Sequence, residues 1–205
     1  MKKKLFVIAA IAIVLSILAG GTLAFYTSDI FVHNVITSNS VGIHIDEYQL
    51  VDGVERPYPI EEDVSIMPGS VVSKRPEVVN DEAPSYIRAC VEVVVKLDGE
   101  RTYTVLSEDE AAEIMTIAMN TADWQRKEGD NKWWYFMPGS VGTDEATTPL
   151  FTEVTFKGAE MGNEYMNAEI RINIAAQAVQ SENNPIPAEG TVIDVKGWPK
   201  AEWQS

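Results

Sequence analysis

Residues 86–97 constrain the fold most, because apolar side chains recur at every second position through the whole run. The apolar positions are Ile87, Ala89, Val91, Val93, Val95 and Leu97. The residues between them include three charged ones, Arg88, Glu92 and Lys96. A period of two places the two sets on opposite faces of a β-strand. The run therefore predicts a central core strand, because one of its faces is apolar from end to end.

Residues 168–180 form a second long alternation, with Ile170, Ile172 and Ile174 on one face. Shorter strand patterns, separated by turn residues, occupy 41–45, 48–51, 71–80, 101–106, 124–127, 132–137 and 150–157. Pro76 interrupts one of these patterns, which predicts a sheet edge or a bulge at that position. Residues 56–63 contain two prolines and three acids and predict a loop.

One helix is predicted between the strands. Ser107 and Glu110 have the spacing of a capping box, in which each residue satisfies a backbone N–H near the other. Ile114, Ile117 and Ala118 then recur at helical spacing, which predicts a helix over residues 108–119. Many strands with a single helix predict a mainly β fold, namely a β-sandwich with one inserted helix.

The first 24 residues have the tripartite pattern of a secretory signal peptide. Lysines at positions 2–4 precede an apolar run over residues 5–18, which enters the bilayer as a helix. Thr22 and Ala24 lie three and one positions before Phe25, so we expect signal-peptidase cleavage between Ala24 and Phe25. An uncleaved anchor is the alternative, but Gly20 and Gly21 break the helix where a membrane span would have to continue.

The predicted organisation has four parts. Residues 1–24 are the signal peptide, 25–40 a free N-terminal segment, 41–182 the β-sandwich domain and 183–205 a C-terminal tail. The formal net charge is −15, and cleavage would remove lysines but no acids. Such a chain is repelled by phosphates, so we expect no nucleic-acid partner and contact with a membrane only through the signal peptide before cleavage.

Cysteine usage bears on where the protein works. Cys90 is the only cysteine, so no disulfide can form within the chain. A secreted domain without disulfides suits export from a bacterium with a single membrane better than the eukaryotic secretory route. We therefore expect a secreted protein that is extracellular or associated with the cell surface.

Catalytic and metal-binding patterns are weak in this sequence. The two histidines, His33 and His44, lie outside any His-Glu-x-x-His pattern, and Cys90 has no histidine nearby in the sequence. The acidic runs 61–63 and 108–110 are interpreted as a solvated loop and as acids that favour a helix N-terminus. We therefore assign no catalytic residue, no metal site and no cofactor.

The densest aromatic run is Trp133, Trp134, Tyr135 and Phe136. In a strand, Trp133 and Tyr135 would lie on one face, and Trp134 and Phe136 on the other. One face is expected to pack in the core. The other face is either a candidate binding patch for a carbohydrate or a protein, or part of a second packed layer.

A resemblance to a known family enters at residues 20–25, Gly-Gly-Thr-Leu-Ala-Phe. This stretch resembles the SipW-dependent type of signal peptide in monoderm bacteria, a family that includes the TasA biofilm-fibre protein and the camelysin-type proteins. Residues 67–69, 79–80 and 86–88 are similar to the first half of the family pattern, and residues 133–136, 148–151 and 176–180 to the second half.

The resemblance implies a jelly-roll-like β-sandwich that is released by a SipW-type signal peptidase. It also implies an assembly strand in residues 25–35, with Phe25, Ile30, Val32 and Val35 as anchors that add to the sheet of the next subunit. Asp29 and His33 interrupt the apolar pattern of this segment.

The function that these features predict is a secreted, non-enzymatic structural protein of the bacterial cell surface or biofilm matrix. Its expected partners are further copies of itself or related matrix proteins. Two alternatives remain open, namely a camelysin-type metallopeptidase and a surface carbohydrate- or protein-binding module that uses residues 133–136.

Overall fold

The computed structural model describes residues 41–59, 69–129, 132–157, 165 and 168–199, together with the backbone of residues 30 and 31. Within these residues the protein is mainly β and contains one α-helix. In chain order the elements are β1 (Ile30–Phe31), β2 (Ile43–Val51), β3 (Val54–Pro57), β4 (Val71–Ser73), β5 (Arg75–Asn80), β6 (Ser85–Lys96), β7 (Thr104–Val105), α1 (Glu108–Ile114), β8 (Met115–Met119), β9 (Trp124–Arg126), β10 (Trp134–Phe136), β11 (Glu145–Ala146), β12 (Phe151–Phe156), β13 (Glu169–Gln180) and a 3-10 helix (Val192–Asp194).

The main sheet has the strand order β1-β13-β6-β10-β9, and β7 also pairs with β6. Strands β6 and β13 are antiparallel partners along twelve positions, from Glu169 opposite Lys96 to Gln180 opposite Ser85. The prediction of a central strand at 86–97 is confirmed, because β6 lies between β13 and β10. The predicted second long strand is confirmed as β13.

Two smaller antiparallel sheets face the main sheet, with the orders β11-β5-β2-β3 and β4-β12-β8. One apolar core joins all three sheets, and its fully buried members include Ile43, Val78, Ile87, Phe151 and Val154. Full burial of each such side chain contributes about 1.5–3 kcal/mol. This architecture of antiparallel sheets confirms the prediction of a mainly β fold with one helix and is consistent with a β-sandwich.

The helix is shorter than predicted. The capping box is confirmed, since the Ser107 side chain accepts a hydrogen bond from the backbone of Glu110 and the Glu110 side chain accepts one from the backbone of Ser107. Helix α1 ends at Ile114, however, and the prediction that it continues to residue 119 is wrong. Residues 115–119 form β8 instead, where Met115 pairs with Phe156 and Ile117 with Val154.

Helix α1 ends early because of a tertiary contact, the pairing of residues 115–119 with β12. Helical spacing and strand alternation cannot be separated over five mixed residues, and pairing with β12 decides between them. Two further elements differ from the predictions. Strand β3 includes Arg56 and Pro57, which were predicted as loop, and β11 was not predicted at all.

Pro76 lies inside β5, opposite Glu47 of β2. On the other side of β5, strand β11 pairs only with Val79 and Asn80. Pro76 itself accepts a hydrogen bond there from the backbone of Leu150. A proline is tolerated at this position because no regular ladder on that side needs its missing N–H. The predicted sheet edge is wrong, however, because β5 lies between β11 and β2.

Candidate functional site

The edge of the main sheet beyond β6 is formed by β13. The residues in the middle of this strand are small and buried: Ala175 is 7% exposed, Ala176 0% and Ala178 3%. Ile174 and Ala176 face the core between the sheets, whereas Ala175 and Gln177 lie on the opposite, outer face. The backbone N–H and C=O groups on the side of β13 that faces away from β6 can pair with a further strand, so this part of β13 is suited to accept one.

A strand from the N-terminal segment lies at this edge. Ile30 is opposite Ala176 and Phe31 is opposite Ala175, in antiparallel register. Among the residues that the structure describes, β1 is the only strand that pairs with this side of β13. Of the four predicted anchors, Ile30 is therefore found in a strand, while Phe25, Val32 and Val35 lie outside the described residues. The cleavage-site residues Thr22 and Ala24 also lie outside them.

The outer face of the main sheet carries a buried arginine. Arg88 on β6 lies opposite Gln177 of β13 and is only 7% exposed. Its Nε and Nη2 atoms donate to Gln177 Oε1 at 2.9 and 2.6 Å. Nη1 donates to the Tyr135 hydroxyl at 3.1 Å, and Nη2 also donates to the Pro199 carbonyl at 2.8 Å. All of these acceptors are neutral.

Aromatic rings supply the remaining stabilisation of the Arg88 charge. The guanidinium carbon lies 4.3 Å from the ring centroid of Trp133 and 4.9 Å from that of Trp198. Such cation–π contacts contribute about 0.5–2 kcal/mol each, and more when the cation is desolvated. The arginine on β6 is thus held by three segments that are distant in sequence, namely β13, β10 with the residue before it, and the C-terminal tail.

The C-terminal tail covers this outer face. Val192 and Val195 are buried in a second apolar cluster with Tyr86, Cys90 and Trp133 of the sheet. The ring of Trp198 meets that of Tyr135 edge to face, with centroids 5.5 Å apart. The sequence does indicate that the tail packs against something, because Val192, Val195 and Trp198 are apolar and three positions apart. It does not indicate which face of the sheet the tail covers.

The aromatic run 133–136 is used on both faces of the sheet. Trp133 and Tyr135 pack in the outer cluster, and Phe136 packs in the main core with Trp134 against it. The predicted alternation of faces is therefore confirmed, and the second packed layer is present. Three of the four side chains are nearly inaccessible, at 3–7% exposed. Trp134 is half-buried, with the Arg126 guanidinium 4.5 Å from its ring centroid.

An ion pair ties the far end of β13 to β6. Lys96 contacts Glu169, the residue opposite it, and the Tyr103 hydroxyl donates to the same carboxylate. The hydrogen bond from Lys96 lowers the pKa of Glu169, and the same bond raises the pKa of Lys96. Because these groups are exposed to solvent, the pair adds little to stability.

The remaining polar groups of interest are scattered. His44 is half exposed, and its Nδ1 lies 2.8 Å from Asp81 Oδ2. Cys90 is 1% exposed within the outer cluster. In the part of the chain that the structure describes, no three His, Cys, Asp or Glu side chains are grouped so that they could hold a metal ion. The same part contains no helix that is long and apolar enough to cross a membrane.

Comparison of the chain with protein families, with curated proteins and with solved structures found no match.

Proposed function

We propose that this chain is a secreted, non-enzymatic structural protein of the bacterial cell surface or biofilm matrix, and that it assembles through its N-terminal strand. The observation that carries the proposal is the pairing of Ile30 and Phe31 with the middle of β13. This strand belongs to the N-terminal segment that cleavage is expected to free. The strand of one copy can therefore pair with β13 of another copy instead of its own.

The length of β13 supports this role. It spans twelve residues, about 40 Å at the rise of an antiparallel strand, and β1 pairs with two of them. The expected free segment 25–40 is long enough to cover the rest. In the assembled state, the segment of one copy would occupy the β13 edge of the next, with backbone hydrogen bonds for affinity and alternating side chains for specificity.

The sequence supports export of the protein and a more specific form of its β-sandwich fold. The lysines and apolar run before residue 25 direct export, and the resemblance at residues 20–25 assigns processing to a SipW-type signal peptidase. The same resemblance refines the β-sandwich to a jelly-roll-like one. The partners are then further copies of this chain or related matrix proteins.

Electron microscopy of the mature chain tests the proposal. The chain that begins at Phe25 is expected to form fibres, and the chain that lacks residues 25–35 is expected to stay monomeric. A matched control carries the residues of 25–35 in scrambled order, so that composition and length are kept while the register pattern is lost. Fibres from the truncated chain would show that assembly uses another surface.

A further inference from the structure

The main sheet has a two-fold arrangement around its central pair of strands. Ala89 of β6 lies opposite Ala176 of β13, and both face the core. Beyond β6, Trp134 of β10 lies opposite Ala89. Beyond β13, Ile30 of β1 lies opposite Ala176. Because both outer strands are antiparallel to their partners, a two-fold axis between the two alanines exchanges β6 with β13 and β10 with β1.

The two smaller sheets follow the same rule. Strand β4, which precedes β5 in the chain, pairs with β12, and β11, which precedes β12, pairs with β5. On its other side β5 pairs with β2, as β12 pairs with β8. An exchange of β5 with β12 thus also exchanges β4 with β11 and β2 with β8. Chain order is kept as well, because β2, β4, β5 and β6 follow one another as β8, β11, β12 and β13 do.

The sequence contains a short repeat that agrees with this symmetry. Met-Pro-Gly-Ser-Val occurs at residues 67–71 and again at residues 137–141. The first run ends at the first residue of β4, and the second run precedes β11, the counterpart of β4. Gly69 and Gly139 both have positive φ angles, at 83° and 126°. The repeated strand order, pairing and turn sequence together indicate a duplicated β-unit.

The symmetry makes the β13 edge the counterpart of the β6 edge, so β10 indicates what kind of strand the β13 edge can accept. Ala89 and Ala176 are fully buried. Alanine fills little of the core volume, and Trp134, which lies opposite Ala89, packs against the core from the next strand. The place opposite Ala176 on the core face is the counterpart of the one that Trp134 fills.

We propose that the β13 edge takes a strand in the place that β10 takes on β6, and that its place opposite Ala176 accepts an apolar side chain as large as tryptophan. The occupant is the N-terminal strand, which a second copy supplies in the assembled state. This inference rests on the proposed function for the source of the strand. A place fitted to isoleucine alone would instead reject tryptophan, because overpacking costs about 1–3 kcal/mol.

Disulfide trapping in the full mature chain tests the size of this place. Phe31→Cys with Ala175→Cys reports occupation of the edge, and every variant also carries Cys90→Ala, because Cys90 lies opposite residue 175. The variants are oxidised in one glutathione buffer, and the yields of the disulfide between residues 31 and 175 are compared. Ile30→Trp is expected to keep the yield within about twofold of the parent. Ile30→Thr keeps the β-branched shape but is less apolar, and it is expected to lower the yield about tenfold, which corresponds to about 1.4 kcal/mol.

Ile174→Trp is the matched control. Ile174 lies two positions before Ala176, and its counterpart before Ala89 is also an isoleucine. Both isoleucines are buried in the main core, so the symmetry provides no place for a tryptophan there. Ile174→Trp is expected to lower the disulfide yield and the urea midpoint, whereas Ile30→Trp lowers neither. An equal loss of yield in Ile30→Trp and Ile30→Thr overturns the inference, and so does an unchanged yield in Ile30→Thr.

The chains that the disulfide joins separate this inference from the proposed function. A disulfide that forms only within single chains, with the expected dependence on residue 30, supports the inference and refutes assembly by exchange. A disulfide between chains with that dependence supports both. A disulfide between chains that Ile30→Trp abolishes supports the proposed function and overturns the inference. If residues 31 and 175 form no disulfide in any variant, the N-terminal strand does not occupy β13, and both fail.

Discussion

Replacement of Arg88 by methionine tests whether the buried arginine holds the C-terminal tail on the main sheet. Methionine keeps much of the apolar volume but removes every donor. Two buried acceptors, Gln177 Oε1 and the Pro199 carbonyl, then lose a charged donor. The loss is expected to cost about 1–2 kcal/mol for each acceptor.

The lost cation–π contacts with Trp133 and Trp198 add about 1 kcal/mol each. The expected total is about 4–6 kcal/mol, a large part of the stability of a typical domain. For a urea dependence of about 3 kcal/mol per M, this loss lowers the unfolding midpoint by about 1–2 M. Arg88→Lys is expected to fall between the two, because it keeps the charge but loses the planar fork.

Arg171→Met provides the matched control. Arg171 lies on β13 with its side chain 60% exposed, and its carboxylate contact to Glu169 is long, at 3.7 Å. Its removal is expected to change the unfolding midpoint by less than about 0.2 M. A midpoint for Arg88→Met within that same small range would refute the role of Arg88 in stabilising the tail. Limited proteolysis of the tail provides a second readout, with faster cleavage expected in Arg88→Met only.

Three further predictions concern other parts of the fold. Asn80 is fully buried and donates through Nδ2 to the backbone carbonyls at 83 and 141. Asn80→Asp should therefore cost about 3–5 kcal/mol at pH 7 and less below pH ~4, where the new carboxyl is protonated, as urea unfolding at both pH values would show. Burial, with Glu55 and Asp46 nearby, raises the pKa of Glu77. The folded state then binds the proton of the Glu77 carboxyl group more tightly than the unfolded state does. The contribution of Glu77 to stability therefore falls as the pH rises from the pKa in the unfolded state through the raised pKa in the folded state. Glu77→Gln should raise the urea midpoint at pH 7 but not at pH 3. Ser107→Ala removes the helix cap and should cost about 1 kcal/mol in the same assay, and no change would mean that α1 does not depend on its capping box.

The two long strands could be predicted from the sequence because their periodicity is unbroken. In β6 and β13, apolar residues alternate over twelve positions, a spacing that no helix would share. Burial of that apolar face in the core stabilises the strands. The end of α1 could not be predicted in the same way. The capping box specifies where the helix begins, whereas its end is decided by the pairing of Met115 with Phe156, which is far away in the sequence.

The candidate site was predictable only in part. Ile30 was named as an anchor through the family resemblance, but its partner Ala176 depends on a pairing between the two ends of the chain. Arg88 was correctly placed on the face of β6 opposite the core. Its burial could not be predicted, because Val195 and Trp198 in the tail form the covering layer, and no pattern in the sequence indicates what they pack against.

The proposed assembly places the N-terminal strand of one copy at the β13 edge of another. The most direct measurement mixes two mature chains, one with Phe31→Cys and one with Ala175→Cys, lets them assemble, and then oxidises them. Because each chain carries only one of the two new cysteines, a disulfide between residues 31 and 175, identified by peptide mass spectrometry, can form only between chains. This mixed disulfide is expected in assembled material, and it is expected to be absent when residue 173 replaces residue 175 as the second cysteine. Fibres that form without the mixed disulfide would contradict this assembly.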